Sequence, residues 1–414
     1  MFPGENRFRA YIGFVWFYAR AADDAAAAAA LQRGVDAVVA QTPALSGRLR
    51  ETGAGDGHLA VDYADPPRAV AVEQRRAACS FAELAAGDFA QHGRESAAVF
   101  AGLPSATPQV DGQPVLVVQA VALSDGGLAV AILCHHVLMD GAGTFAVAER
   151  IARAARGEQL HPDGPLWVDR QPVRRLLRQH VSQAAAAAAS EVAVGAEPGT
   201  TPLAVRGELR QRQIWIARTG LEALRRDCDC STTPAVLALL WRAWARALEA
   251  HGSRSAEFYV GGPVDMRAHV DEGALRGYLG NFIQALPMAA PRAALLDAAL
   301  PAVAARVRSG FSQLSTLAGV RALLDATFDD PSPRLAGSDS PLLAFSSIAH
   351  LPFHSLDFGF ARADAVRMRA LDSPNMVFAF SDAAGGIRAN FFLPQSLFDA
   401  LAADPELVRY GRLS

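Results

Sequence analysis

The chain has 414 residues, a formal net charge of −3, and 51% hydrophobic against 20% charged residues. At roughly 100–200 residues per domain this predicts two or three domains with sizeable cores, and the balanced charge argues against a nucleic-acid partner. All 39 basic residues are arginine, which excludes a pyridoxal Schiff base and a P-loop lysine.

The first third opens on YIGFVWFYA, a predicted strand. Its apolar stretch, Tyr11–Ala19, is far short of the ~20 residues a spanning helix needs, and with no signal peptide visible the expected location is cytoplasmic. An alanine-rich helix is expected over Asp23–Ala40, with Asp23 or Asp24 as N-cap. PALSGRL (Pro43–Leu49) reads as a turn and HLAVDY (His58–Tyr63) as an alternating strand. PVLVVQAVA (Pro114–Ala122) and LAVAILCHH (Leu128–His136) flank a turn containing Gly126 and Gly127, which predicts a hairpin running into a buried strand. A helix should start near Gly143, place Phe145, Ala148, Ile151 and Ala155 on one face, and stop at Gly157.

The stretch 183–202 is an alanine run ending in glycine and proline, and it reads as a linker between two units. Thr233–Gly252 is the clearest helix, with Pro234 in its first turn. EFYVGGPVDMR, MVFAF (Met376–Phe380) and GIRANFFL (Gly386–Leu393) read as strands. The cysteines, Cys79, Cys134, Cys228 and Cys230, make no disulfide framework. The Cys228–Cys230 pair has no second cluster at zinc spacing, so no metal is expected.

The chemistry concentrates in CHHVLMDGAG (Cys134–Gly143). A histidine at the end of an apolar strand suits general-base work. Near pH 7 an imidazole, with an ordinary pKa of about 6.5, can take a proton from an attacking hydroxyl or amine and return it to a leaving group. Asp140 can fix the loop through an ion pair, and Gly141 permits a tight exit from the strand. Successive strand residues point to opposite faces, so one of His135 and His136 must turn inward. Two other readings stay open on these residues alone. Both histidines could be core residues, or Cys134 could be a nucleophile sharing a strand face with His136.

HHVLMDG closely resembles the signature of the chloramphenicol acetyltransferase-like (HxxxD) superfamily, which holds the BAHD acyltransferases and the peptide-synthetase condensation domains. Further segments resemble BAHD blocks in the right order: PALSGRL, the strand pair before the histidine, PLWVDR (Pro165–Arg170) and the helix carrying Trp241-Arg242. After these come VDMR (Val264–Arg267), YLGN (Tyr278–Asn281), SSIAHLPFHSLDFGF from Ser346, and GGIRANFFL. The sequence departs from the pattern where the TSW tryptophan is Ile348 and where DFGWG is Asp357-Phe358-Gly359-Phe360-Ala361. The doubled histidine is more typical of condensation domains.

The resemblance implies an α/β (α+β) protein of two chloramphenicol acetyltransferase-like domains, each a mixed sheet flanked by helices, with a channel between them. The expected units are residues 1–182, carrying HHVLMDG, the linker 183–202, and residues 203–414, carrying VDMR, YLGN and DFGF. Implied site residues are His136 as base, Asp140, and Ser346 as a donor to the oxyanion. Arg267, Gly141, Asn281, Asp357 and Gly359 would support the site, with Arg267 pairing Asp140.

The implied activity is transfer of an acyl group from acyl-CoA to a hydroxyl or amine of a small molecule of specialised metabolism. No cofactor would be bound permanently, and no membrane or oligomeric partner is expected, so the protein should be a monomer. The alternative donor is an acyl carrier protein thioester, used by a stand-alone condensation enzyme. An inactive member that only binds a ligand is a third class, against which the intact His, Asp and Gly argue.

Overall fold

The computed structural model describes residues 10–20, 24–51, 59–91, 96–104, 110–160, 166–169, 172–173, 207–267, 275–313, 341–360, 362–369 and 374–414. The expected linker 183–202, with residues 23, 58, 165, 170 and 361 of the sequence blocks, lies outside them.

Fourteen strands are present among the described residues: β1 (Tyr11–Tyr18), β2 (Arg48–Glu51), β3 (Leu59–Asp62), β4 (Val72–Arg76), β5 (Leu116–Ala122), β6 (Leu128–His135), β7 (Leu209–Ile216), β8 (Glu257–Asp265), β9 (Ile283–Pro291), β10 (Leu342–Ser347), β11 (Ala365–Met368), β12 (Met376–Ser381), β13 (Ile387–Pro394) and β14 (Arg412–Leu413). They form a five-stranded sheet, β11-β1-β6-β5-β4, a seven-stranded sheet, β14-β7-β13-β12-β10-β8-β9, and the small pair β2-β3. Both large sheets are mixed: β4 runs parallel to β5, and β12 and β8 run parallel to β10, while the other pairings are antiparallel. The β5–β6 hairpin has Ala122 opposite Leu128, as the Gly126-Gly127 turn requires.

Strand β11 comes from the chain's second half yet hydrogen-bonds to β1 of the first sheet. Among the described residues, β11 is a strand from 203–414 that joins the sheet of 1–182.

Two long helices cover the first sheet. Helix α1 (Asp24–Gln41) buries Leu31, Val35, Val38 and Val39, the one-face spacing of an amphipathic helix. With α2 (Phe81–Ala86) and α3 (Ala97–Phe100) placed on the opposite face, the next helix, α4 (Gly141–Ala155), packs on α1. Gly34 lets the two approach, since a side chain there would meet the Ile151 carbonyl oxygen at 2.5 Å.

In the second half, α5 (Arg218–Cys228) precedes α6 (Thr232–Ala250), which is buried on nearly all sides and carries Trp241 and Trp244 at 0% exposure. A helix buried all round belongs in a core. Residues Val377, Ala379, Ala389 and Phe391 of the second sheet face this core. Their neighbours Met376, Phe378 and Phe380 point the other way, into the core of the first sheet, where Phe380 meets Phe14 edge-on at 6.0 Å. The two sheets thus share packed side chains. No described helix is long and apolar enough to cross a membrane.

Candidate active site

Strand β6 delivers two histidines to different surroundings. The His135 N–H donates to Val115 and the His136 N–H to the Ala10 carbonyl, each at 2.8 Å, so both are pinned where the strand ends. His135 is fully buried, edge-on to the Tyr11 ring at 4.8 Å, and its Nδ1 accepts the Val137 N–H at 3.2 Å. Burial, with the charge of His136 adding to it, pushes its pKa down to about 3. His136 is half-buried. Burial lowers its pKa too, against the opposing pull of its own backbone, Asp140 and Asn281. A depressed imidazole is neutral at pH 7 and able to accept a proton.

Asp140 is turned inward. It is 2% exposed and accepts four hydrogen bonds: Oδ1 from the Gly143 N–H at 3.0 Å and Arg267 Nη2 at 3.2 Å, and Oδ2 from Arg267 Nη1 at 3.0 Å and the Phe282 N–H at 2.9 Å. The first of these caps α4. The helix therefore starts at Gly141, two residues before the expected Gly143, because Asp140 is its cap.

Arg267 also bonds Asp265 Oδ1 at 3.0 Å and the Gly280 carbonyl at 2.6 Å. Asn281 donates to the His136 carbonyl at 2.6 Å. VDMR and YLGN are thus folded onto the histidine loop, and Met139 bridges to Gly280. Side chains at Gly143 and Gly280 would collide with the Leu279 carbonyl and the Tyr278 hydroxyl.

Gly141 has a different task from the one expected. It opens α4 with no left-handed φ, and what constrains it is Ile348, whose Cγ2 lies 3.0 Å from where a Cβ would sit. This contact brings the end of β10 beside the histidine loop. Ser346, half-buried on β10, lies opposite Phe378 two residues earlier.

Asp357 and Gly359 form a separate turn. Asp357 Oδ1 accepts the Gly359 N–H at 2.8 Å, Gly359 has φ 93°, and Arg156 donates to the Asp357 carbonyl. Phe358, between them, is buried edge-on to Trp16 at 5.2 Å. Cys134 is fully buried and its thiol is pushed up to about 12 by burial, which removes it as a nucleophile. Among the described residues no group of three His, Cys, Asp or Glu could hold a metal ion.

Sequence reasoning did not single out Asp265, Gly143 or Gly280 as site residues. The signal was there for Asp265, two residues before Arg267 at a strand end. For the glycines it is a close approach of remote backbone, which spacing does not reveal.

The description "Transferase family" matches residues 8–408. Alcohol acyl transferase 1 (allele GSa) of Malus domestica is 25% identical over 182 residues, and that alignment spans 41% of this chain and 38% of the apple protein. Among solved structures, F. sporotrichioides TRI101 complexed with coenzyme A and T-2 aligns over 99% of this chain and 97% of its own, at 19% identity and TM-score 0.75. Vinorine synthase aligns over 98% and 91%, at 18% identity and TM-score 0.72. The first condensation domain of the calcium-dependent antibiotic synthetase aligns over 94% and 86%, at 18% identity and TM-score 0.60. At these identities the structural likeness is one of fold. The match along 8–408 assigns membership: this chain belongs to the Transferase family, the BAHD-type acyltransferases of the HxxxD superfamily.

Proposed function

We propose that the protein transfers an acyl group from acyl-CoA to a hydroxyl, or an amine, of a small-molecule acceptor of specialised metabolism, with His136 as general base. The observation that carries this reading is the contrast within the motif. His136 is half-open and held neutral by burial, while Asp140 is turned inward and held by Arg267. The neutral imidazole takes the acceptor's proton as its oxygen or nitrogen attacks the thioester carbonyl. The tetrahedral intermediate then collapses, the C–S bond breaks, and the imidazolium returns the proton to the leaving thiolate. Ser346 donates its hydroxyl to the oxyanion. Asn281 and Arg267 set the histidine's position through the loop backbone. Donor and acceptor meet in a channel between the two units, 1–182 and 203–414.

Coenzyme A is favoured as donor over a carrier protein. The TRI101 structures, with coenzyme A in their descriptions, reach TM-scores of 0.75, against 0.60 for the condensation domain. The test is a mass-spectrometric screen of acyl-CoAs against alcohols and amines, with the same acyl group on a carrier protein as comparison. His136→Ala should fold normally and lose about 10²–10⁴ in rate. Near wild-type turnover by that variant overturns the mechanism, and use of the carrier-bound form alone overturns the donor.

A further inference from the structure

Directly after Asp140, the first turn of α4 presents Gly141, Ala142 and Phe145, all half-buried. Across from it, the Ile348 N–H still bonds the Ala379 carbonyl at 2.9 Å, so the chain remains extended one residue beyond β10. Ser346 and Ile348 therefore share one face, about 7 Å apart along the strand. Ile348 is the residue that abuts Gly141. Phe145 rests edge-on against Phe353 at 5.0 Å, and Phe353 stacks on Phe14 at 3.7 Å. Phe14 and Phe353 are sealed in the core at 2% and 3% exposure, whereas Phe145, Ile348 and Leu351 pack against it only in part. The result is a half-open apolar wall beginning two residues from Ser346 on one side and just past the Asp140 cap on the other. The three side chains that form it carry no charge.

We infer that Phe145 and Ile348 are specificity-determining residues that receive the acyl chain of the donor and select a bulky apolar acyl group, medium-chain or aromatic, over acetyl. The inference rests on the acyl-CoA reading above. A thioester whose carbonyl oxygen points at Ser346 directs its acyl substituent along the same strand face, toward Ile348. The resembling sequence block has tryptophan where this chain has Ile348. An indole is larger than the isoleucine side chain and would occupy more of that face beside Gly141. A carboxylated acyl group such as malonyl would bury its charge against apolar carbon with no partner, which is unfavourable.

The test is calorimetric titration of the whole protein with free CoA, acetyl-CoA, hexanoyl-CoA, benzoyl-CoA and malonyl-CoA, which requires no acceptor. Each buried methylene tightens binding about fourfold, so hexanoyl-CoA should bind more than about tenfold tighter than acetyl-CoA, with malonyl-CoA weakest. Ile348→Trp should collapse the hexanoyl-to-acetyl ratio to below about threefold and leave free CoA unaffected. Should that variant misfold, shown by loss of free-CoA binding, Ile348→Ala carries the same criterion, lowering the ratio at least about threefold through lost contact. A flat acyl series in the wild type, or an unchanged ratio in the folded variant, overturns the wall while leaving the donor in place. Failure of the wild type to bind free CoA overturns the donor reading, and the wall with it.

Discussion

Asp140 and Arg267, 127 residues apart in sequence, meet through two parallel N–H···O bonds of 3.0 and 3.2 Å. The fork of the guanidinium matches the carboxylate, and both are held from behind: Asp140 by the Gly143 and Phe282 N–H groups, Arg267 by Asp265 and Gly280. One pair thus ties the start of α4 to the loop that follows β8. Arg267→Gln leaves a buried carboxylate short of its partner, and such a loss costs about 3–5 kcal/mol. Urea unfolding should show it as a lower midpoint with unchanged slope. Arg267→Lys keeps the charge but not the fork, so it should restore only part of the stability and of kcat.

The rate should fall on the acid side later than an ordinary histidine predicts. Burial holds the His136 pKa below the usual value, so the protonated, inactive form accumulates only below about 6.5. Between about pH 8 and about pH 6.5, kcat/KM should be flat, then drop tenfold per unit. A profile already falling above that range would show that the titrating base is not this residue.

His135 makes the opposite kind of contribution, to stability rather than rate. Its folded pKa is pushed to about 3, while an unfolded histidine titrates near 6.5. Between those values the unfolded chain binds a proton that the native state refuses. Stability is therefore fully present above the unfolded value and is lost as pH falls toward the folded one. His135→Phe should keep transfer activity and lose less of its thermal midpoint than the wild type between neutral and mildly acidic buffer. Equal losses in the two proteins would exclude the histidine as the cause.

Ser346→Ala tests the oxyanion donor. Removing one such donor costs about 10²–10³ in kcat, with little effect on KM. Because Ser346 is half-buried on a strand whose ladder uses only backbone, the variant should unfold at the same urea concentration. Unchanged turnover would assign the oxyanion to backbone N–H groups instead.

A second junction centres on Asp88. Asp88 receives Arg367 of β11 at 2.6 Å and Arg388 of β13 at 2.5 Å, so one carboxylate joins the two sheets. Arg388 also bonds Gln213 at 3.1 Å, and Arg367 lies over the Phe89 ring at 5.1 Å. Asp88→Ala leaves two largely buried guanidinium groups without their shared anion and should lower the urea midpoint, by less than a fully buried pair would because Asp88 is itself partly open to solvent. A double-mutant cycle with Arg388→Gln checks it, since the combined loss should be smaller than the sum.

The residues that gather at the candidate site were legible because they sit in short motifs. HHVLMDG, VDMR and YLGN each keep their key residue within a few positions of a strand end, and the fold brings those three ends together. Long helices and the hairpin strands also declared themselves, through periodicity and turn glycines. What could not be read depends on contacts between distant segments. The Gly143 N–H that fixes the start of α4 is taken by a side chain three residues earlier, which shifts the boundary. Asp88 gains meaning only beside two arginines roughly 300 residues on. Edge strands such as β4, β9 and β11 carry arginine, proline or methionine and lack the alternation that marks a half-buried strand.

The pairing of β11 with β1 sets an order on biosynthesis. Tyr11–Tyr18, eight buried residues, leaves the ribosome before both of its partner strands, and β6 covers only one of its edges. The other edge stays open until Ala365–Met368 has been translated, more than 200 residues later. At about 5–20 residues per second, that leaves an apolar template unpaired for roughly 10–50 seconds. Exposed edges of this kind invite pairing with another chain. Yield from a heterologous host should therefore respond to chaperones and to slower, cooler expression, and a fragment ending before β11 should aggregate.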